Sequence, residues 1–449
     1  MVHPRSANAL KWCARTVAAT MAWCAAGAVL AADAPVHPPG LTYAVKPDAI
    51  SGGDTAWVLT SAVLVLLMTL PGLALFYGGL VRKRNILGTM TQVFATGCAV
   101  AVLWFVVGYS MAFSSGSSWL GGFSKLPGGK YASVVQGVAV DALAPSIPEP
   151  VFALFECGFA VITCALIVGA FAERVKFGVA VIFGSLWGLL VYAPVVHWIW
   201  QPEGWAYIMG VRDFAGGIVV HVNAGAAALA CAVVVGKRAG YGKEPMHPSN
   251  LAYMLIGAGL LWIGWFGFNG GSALAANAQA GLASVNTLVA AALAAIVFMG
   301  LEWLVRGNST LVGMSTGAVA GLVAITPAAG FVTLDASLWF GLAGGVVSFI
   351  GLNWIKPRMN VDDSLDVFAI HGLVGIAGSM LTPLLSRSEL SGAPGVVTAE
   401  LTATAAVFVY SFAVSWLIMK LLDLVVGARL SAASEQKGLD VTQHGERIE

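Results

Sequence analysis

The sequence predicts an all-α polytopic membrane protein: eleven transmembrane helices, built as a 5+5 inverted repeat plus one C-terminal helix. Three observations lead there. Of 449 residues, 58% are hydrophobic and 10% charged, with a formal net charge of +1, and the mean hydropathy is +0.83. Soluble domains carry about 25% charged residues, so this composition excludes an ordinary cytosolic enzyme, a disordered chain and a nucleic-acid partner. Eleven apolar stretches are each long enough to cross about 30 Å of hydrocarbon at about 1.5 Å per residue. Finally, two short polar patterns occur twice, once in each half of the chain. The 54 glycines and 15 tryptophans suit helices that pack closely in lipid with aromatic residues at its borders.

In chain order, residues 1–34 read as a signal peptide: Arg5, Lys11 and Arg15 precede the apolar run Val17 to Leu30, and Ala32-Asp33-Ala34 offers a small-x-small cleavage site. The membrane domain is expected over 35–427, with spans near 55–80, 88–113, 151–172, 177–200, 214–236, 250–273, 282–305, 309–329, 335–355, 366–386 and 400–427. Residues 428–449 form a polar tail. Basic residues orient the bundle. Arg82, Lys83, Arg84, Arg174, Lys176, Lys237, Arg238, Lys243, Arg306, Lys356 and Arg358 fall on one set of connections, and Lys125, Lys130, Arg212 and Arg387 on the other. This places the N-terminus outside and the tail in the cytoplasm. The six cysteines show no metal or redox spacing; those in the spans are expected as small core residues, and no cofactor or metal is expected.

The repeated patterns are Phe76-Tyr77-Gly78-Gly79 with Phe268-Asn269-Gly270-Gly271, and Asp213 eight residues before His221 with Asp363 eight before His371. Five spans followed by five more have opposite orientation, which is an inverted repeat of the transporter kind. Spans five and ten then meet at a pseudo-twofold axis, and His221 and His371 are expected to face one another inside the bilayer.

Polar side chains in a span are costly and mark cavities or partners. For a single histidine, a structural hydrogen bond explains the residue as well as a function does; a pair related by the repeat favours function, since neutral imidazole both donates and accepts. Glu302 is read as a helix-turn partner of Arg306, and His197, beside Trp198 and Trp200, as solvated at the interface. Glu156 is expected to stay ionised in an outer vestibule. Asp213 is expected to cap span five. Phe155, Phe159, Trp200 and Phe268, with the hydroxyl of Ser272, lie toward the outer side. An aromatic belt explains any one of them; together they suit a small cation held by π faces and an acceptor.

The segments PGLALFYGGLVRKRN within 54–85, FECGFAVIT at 155–163, DFAGGIVVH at 213–221, GWFGFNGGSA at 264–273 and VDDSLDVFAIH at 361–371 resemble ammonium transporters of the Amt/Mep/Rh family, nearest the bacterial branch, in order through all eleven spans. The resemblance implies a homotrimer in the cell inner membrane with one pore per subunit. It implies an outer ammonium site of Trp200, Ser272, Phe155 and Phe159, a stacked pair Phe159 and Phe268 closing the pore mouth, Asp213 ordering the vestibule, and pore histidines His221 and His371. Glu156 departs from the family pattern, where Gln is frequent. Gly438, Leu439, Asp440 and His444 resemble the regulatory tail through which these transporters couple to a PII-type signal protein.

The expected mechanism follows from the substrate. Ammonium can surrender a proton, leaving ammonia cheap to pass through an apolar conduit, whereas the intact ion would incur the burial cost of a charge. Methylammonium is the expected analogue. Proton loss is expected near Asp213. The alternatives are an ammonium sensor with little flux, a cation channel, disfavoured by the lack of a carbonyl filter such as TVGYG, and a haem-binding electron carrier using the two histidines.

Overall fold

A computed structural model describes residues 42–127 and 137–448. The expected signal peptide lies outside the described residues. Among those described, ten helices are long and apolar enough to cross a membrane: α1 (Gly52–Leu80), α2 (Lys83–Phe113), α3 (Glu149–Phe171), α4 (Phe177–Ile208), α5 (Gly217–Val235), α6 (Leu251–Gly270), α7 (Ala278–Arg306), α9 (Leu334–Met359), α10 (Phe368–Leu385) and α11 (Val397–Val426). A shorter apolar helix, α8 (Leu311–Ile325), completes the eleven. It stops short of the expected 329 because Pro327 follows and cannot continue a helix. The turn between α7 and α8 is real. Gly307 turns left-handed at φ 80, and the Thr310 hydroxyl accepts the Gly313 amide at 2.9 Å. Glu302 takes the Thr310 amide at 2.9 Å and Arg306 at 3.1 Å, the structural role expected of it.

α3 and α5 are the most enclosed spans, whereas α7 and α11 turn most of their surface outward. That division follows composition. α5 carries the run Asn223-Ala-Gly-Ala-Ala-Ala, and small side chains let backbones approach. At Gly225 the approach is close: a Cβ there would lie 2.3 Å from Cα of Gly372 on α10. The two helices that carry the paired histidines are thereby brought into backbone contact. Both begin with a wider, π-type turn, Gly217–Val222 and Phe368–Leu373, and each of these turns contains its histidine.

The long connection after α2 is not an unstructured loop. Strand β1 (Thr42–Val45) pairs antiparallel with β2 (Val138–Asp141), Thr42 opposite Asp141. Beneath this ribbon Lys125 is buried; its ammonium group reaches Asp141 at 2.7 Å and Thr42 at 2.8 Å, and pairs with Glu149 as well. The tail also departs from a solvated terminus. Leu439 is fully buried and donates its amide to Asn85 at 2.9 Å, and Asp440 accepts the Gly88 amide at 2.8 Å. The His444 ring stands edge-on to Phe177 at 5.1 Å. Cys98 is exposed, unlike the buried Cys157, Cys164 and Cys231.

Gly225→Val is expected to lower the unfolding temperature of detergent-solubilised protein by several degrees, since overpacking a close contact costs about 1–3 kcal/mol. Gly259→Ala, with open space at that position, is expected to leave it unchanged in the same thermal scan.

Candidate functional site

A cavity of about 160 Å³ opens where the ends of α2, α3, α4 and α6 meet, and Glu156, Trp200 and Ser272 line it together. The Trp200 indole is fixed by donating to the Asp213 carbonyl at 2.8 Å. Ser272 donates its hydroxyl proton to the Phe268 carbonyl at 2.8 Å, so its oxygen presents lone pairs rather than a proton to the cavity. Glu156 is 7% exposed and its Oε2 is buried without a hydrogen-bond partner. The cavity thus combines π faces, a hydroxyl acceptor and a carboxyl group with a free oxygen, groups that suit a small cation.

The remaining expected residues divide. Phe159 stands under Trp200 at 5.6 Å in an edge contact and against Phe268 at 4.3 Å, so the Phe159–Phe268 pair separates the cavity from what lies deeper. Phe155 supports Phe159 edge-on at 5.0 Å without lining the cavity. Asp213 does not line it either. Its Oδ1 accepts the amides of Gly216 and Gly217 at 2.8 and 2.6 Å, and its Oδ2 those of Ile218 and Val219 at 2.8 and 3.0 Å. Burial raises the pKa of this carboxyl, and the four amides pull it back down. It is the helix cap that the sequence suggests, and its backbone carbonyl holds the Trp200 indole.

Phe113, Phe152, Phe214, Leu143 and Leu274 also line the cavity and were not picked out from the sequence. Phe152 was findable, because it lies four residues before Glu156 on the same helix face; the others come from helix ends and loops whose approach is set by the fold. His197 is a correction. Far from being solvated, it is fully buried, with Nδ1 and Nε2 each 2.8 Å from a carbonyl oxygen, of Ala112 and Ser117 respectively. It ties the end of α2 to α4, the ring's N–H being donated to one of these carbonyls.

Past Phe268, the ring of His221 stacks at 6.1 Å from it and at 5.5 Å from Trp265. His221 and His371 face each other with centroids 5.2 Å apart and Nδ1 atoms 3.2 Å apart. Such a contact requires one Nδ1 to donate and the other to accept, so at least one of the two rings is neutral. The narrow void beside them, about 10 Å³, is lined by apolar side chains and by Tyr77, whose hydroxyl is held by the Leu166 carbonyl at 2.9 Å. A macrocycle fits neither between the rings nor in that void, which removes the ground for a haem.

The fold and this axial pair of imidazoles define a multi-pass membrane protein built around a pseudo-twofold polar line. The Ammonium Transporter Family model matches residues 56–448. The chain is 42% identical over 406 residues to the ammonium transporter of Bacillus subtilis, covering 88% of this chain and 98% of that one. It is 39% identical over 404 residues to ammonium transporter Amt1 of Archaeoglobus fulgidus, covering 88% and 99%. The crystal structure of Candida albicans Mep2 superposes with a TM-score of 0.78 at 32% identity, over 86% and 87% of the two chains. A structure titled Sensor Amt Protein does so with a TM-score of 0.80 at 27% identity, over 87% and 98%. The chain belongs to the ammonium transporter family.

Asp213→Asn exchanges two amide-accepting lone-pair sites for N–H groups set against amides. The expected loss is about 1–3 kcal/mol for the unsatisfied buried donors, read as a fall in unfolding temperature together with a weaker, red-shifted Trp200 fluorescence signal, referenced to a Trp200→Phe control.

Proposed function

We propose that the protein conducts ammonia after recruiting ammonium, and that the observation carrying this reading is the Nδ1–Nδ1 contact of His221 and His371 beneath the Phe159–Phe268 pair. Ammonium enters the cavity between Trp200 and Ser272. Its charge is tolerated there by the indole face and by Glu156. Deeper passage of the ion would strip its remaining hydration with no fixed counter-charge along the conduit, at a cost that a neutral molecule avoids. The proton is therefore left behind in the cavity. Both Asp213 oxygens already hold amides, so the free Oε2 of Glu156 is the acceptor: ammonium and carboxylate become ammonia and carboxylic acid. Ammonia then crosses when Phe159 and Phe268 part. The imidazoles offer it a donor and an acceptor without a charge that would hold it.

In the cell this reading places a homotrimer in the inner membrane, with the cavity outside, the tail in the cytoplasm and a PII-type signal protein as the partner of that tail. The packed tail and the likeness to a structure titled Sensor Amt Protein favour one second reading, ammonium sensing with little flux, and flux separates the two.

In proteoliposomes, His221→Ala and His371→Ala are each expected to lower ammonium flux. Losing one polar partner in a dry site costs about 1–3 kcal/mol, or roughly 5- to 150-fold in rate. Flux unchanged in both variants would refute the pore assignment. Glu156→Gln, assayed by initial-rate methylammonium uptake, is expected to raise the half-saturating concentration several-fold by removing the vestibule charge.

A further inference from the structure

The repeat that pairs the histidines also pairs Asp213 with Asp363, yet the two carboxylates are built differently. Asp213 spends both oxygens on four amides. Asp363 is equally enclosed, at 4% exposed; its Oδ2 accepts the Phe368 amide at 2.7 Å, while Oδ1 is buried with no partner. Next to it lies a void of about 10 Å³ lined by Asp363, Lys356, Phe368, Ala369 and Leu229 among others. That is room for about one molecule of water size, and ammonia is of that size.

The position is at the far end of the conduit. The segment carrying Asp363 is hydrogen-bonded to the end of α3, Ser364 to Ala170 at 3.2 Å and Leu365 to Gly169 at 3.1 Å. Gly169 is also where the conduit's Tyr77 arrives, since a Cβ there would lie 2.8 Å from the Tyr77 hydroxyl and 2.8 Å from Val367. Beyond this point the surroundings become ionic. Lys356 pairs with Asp366, which is held at φ 63. Arg174 binds Ser364 and the Asp362 carbonyl at 2.5 Å each. Arg238 grips the Asp362 carboxylate at 2.9 Å and stands 3.7 Å from Glu173. Both arginines are occupied by Asp362, Arg174 on its carbonyl and Arg238 on its carboxylate, whereas Asp363 lines the void and keeps one oxygen without a hydrogen-bond partner.

We propose that Asp363 and the void beside it form a proton-exchange site at which ammonia leaving the histidine line is converted to ammonium. This rests on the pore reading above. The step balances: the carboxylic acid of Asp363 gives its proton to the nitrogen lone pair, leaving a carboxylate and ammonium, and cytoplasmic water restores the proton. Lys356 and Asp366 set the field at this carboxyl; its position next to solvent-reaching groups gives the product ion an exit that the conduit itself does not offer. Burial raises the Asp363 carboxyl to about 6, with Lys356 pulling it down and Asp366 pushing it up. Lying outside the spans, it can exchange protons near neutral pH, which an ordinary exposed aspartate does not do.

The test is initial-rate methylammonium uptake into proteoliposomes, with pH stepped from about 5 to 8 equally on both sides, a range over which the substrate stays ionised. The unsubstituted protein is expected to show an inflection near pH 6. Asp363→Asn keeps an oxygen for the Phe368 amide but cannot exchange a proton, and is expected to lose that inflection along with most of the rate. Lys356→Met removes the positive neighbour and is expected to move the inflection to higher pH, a shift that a purely structural role would not produce; it carries the test if the asparagine variant does not fold. Uptake that is sensitive to His371→Ala, but whose inflection neither Asp363→Asn nor Lys356→Met alters, would overturn this site alone and leave a structural water pocket. Absence of uptake by the unsubstituted protein would overturn the pore reading itself.

Discussion

Two imidazoles joined through their Nδ1 atoms at 3.2 Å cannot both carry a full complement of protons, and neither can reach the other unless two helices meet backbone to backbone. The first condition excludes two charged rings at once, because an imidazolium offers no lone pair for its neighbour's proton. The second is met at Gly225 and Gly372. Much of the remaining bundle serves these conditions. Asp213 and Asp363 cap the half-spans that begin with the histidine turns, and Trp265 and Phe268 press on the His221 ring, leaving little freedom for the pair to turn away.

Polar chemistry is correspondingly divided between the ends. At the cavity end, Lys125 neutralises only part of the charge of Asp141 and Glu149, and Glu156 lies two helical turns beyond Glu149 on the same face. Burial raises the Asp141 carboxyl, against which Lys125 acts. Two carboxyl groups against one ammonium group leave a bias toward negative charge there, which favours a cation nearby. At the other end, arginines and carboxylates lock the loops and the tail into one network, with Arg429 on Glu435 at 2.7 Å and Arg82 on Glu173 at 2.5 Å. The void between them is narrow and lined mainly by apolar side chains, so on the proposed reading an ion would meet favourable fields at both ends and none in the middle.

Much of this was legible in the chain. Apolar run length identifies each span, because lipid leaves the backbone no other way to satisfy itself, and α8 alone ends clearly early, at a proline. The Asp-to-His spacing recurs because the repeat is a repeat of structure, and it led to His221 and His371 directly. Trp200, Ser272 and Glu156 were found by chemistry. What escaped depends on contacts between segments distant in sequence. Phe113 and Phe214 reach the cavity from a helix end and a loop, Lys125 pairs with residues on a ribbon that has no strong strand pattern, and the tail is ordered by Asn85 and Gly88, more than 300 residues away. His197 looked interfacial because its neighbours are tryptophans, yet carbonyls of another helix and its following loop enclose it. The different treatment of Asp213 and Asp363 is invisible in two identical spacings and emerges only from which amides each oxygen meets.

The central claim is that the line past the histidines passes a neutral molecule and rejects a cation of ammonium's size. The most direct measurement is paired flux through the unsubstituted protein in proteoliposomes, ammonium against potassium at matched concentration and membrane potential. The account predicts robust ammonium flux with potassium flux at the level of empty vesicles. Potassium passing at a comparable rate would contradict it, because an ion that cannot shed a proton would then be crossing the conduit whole.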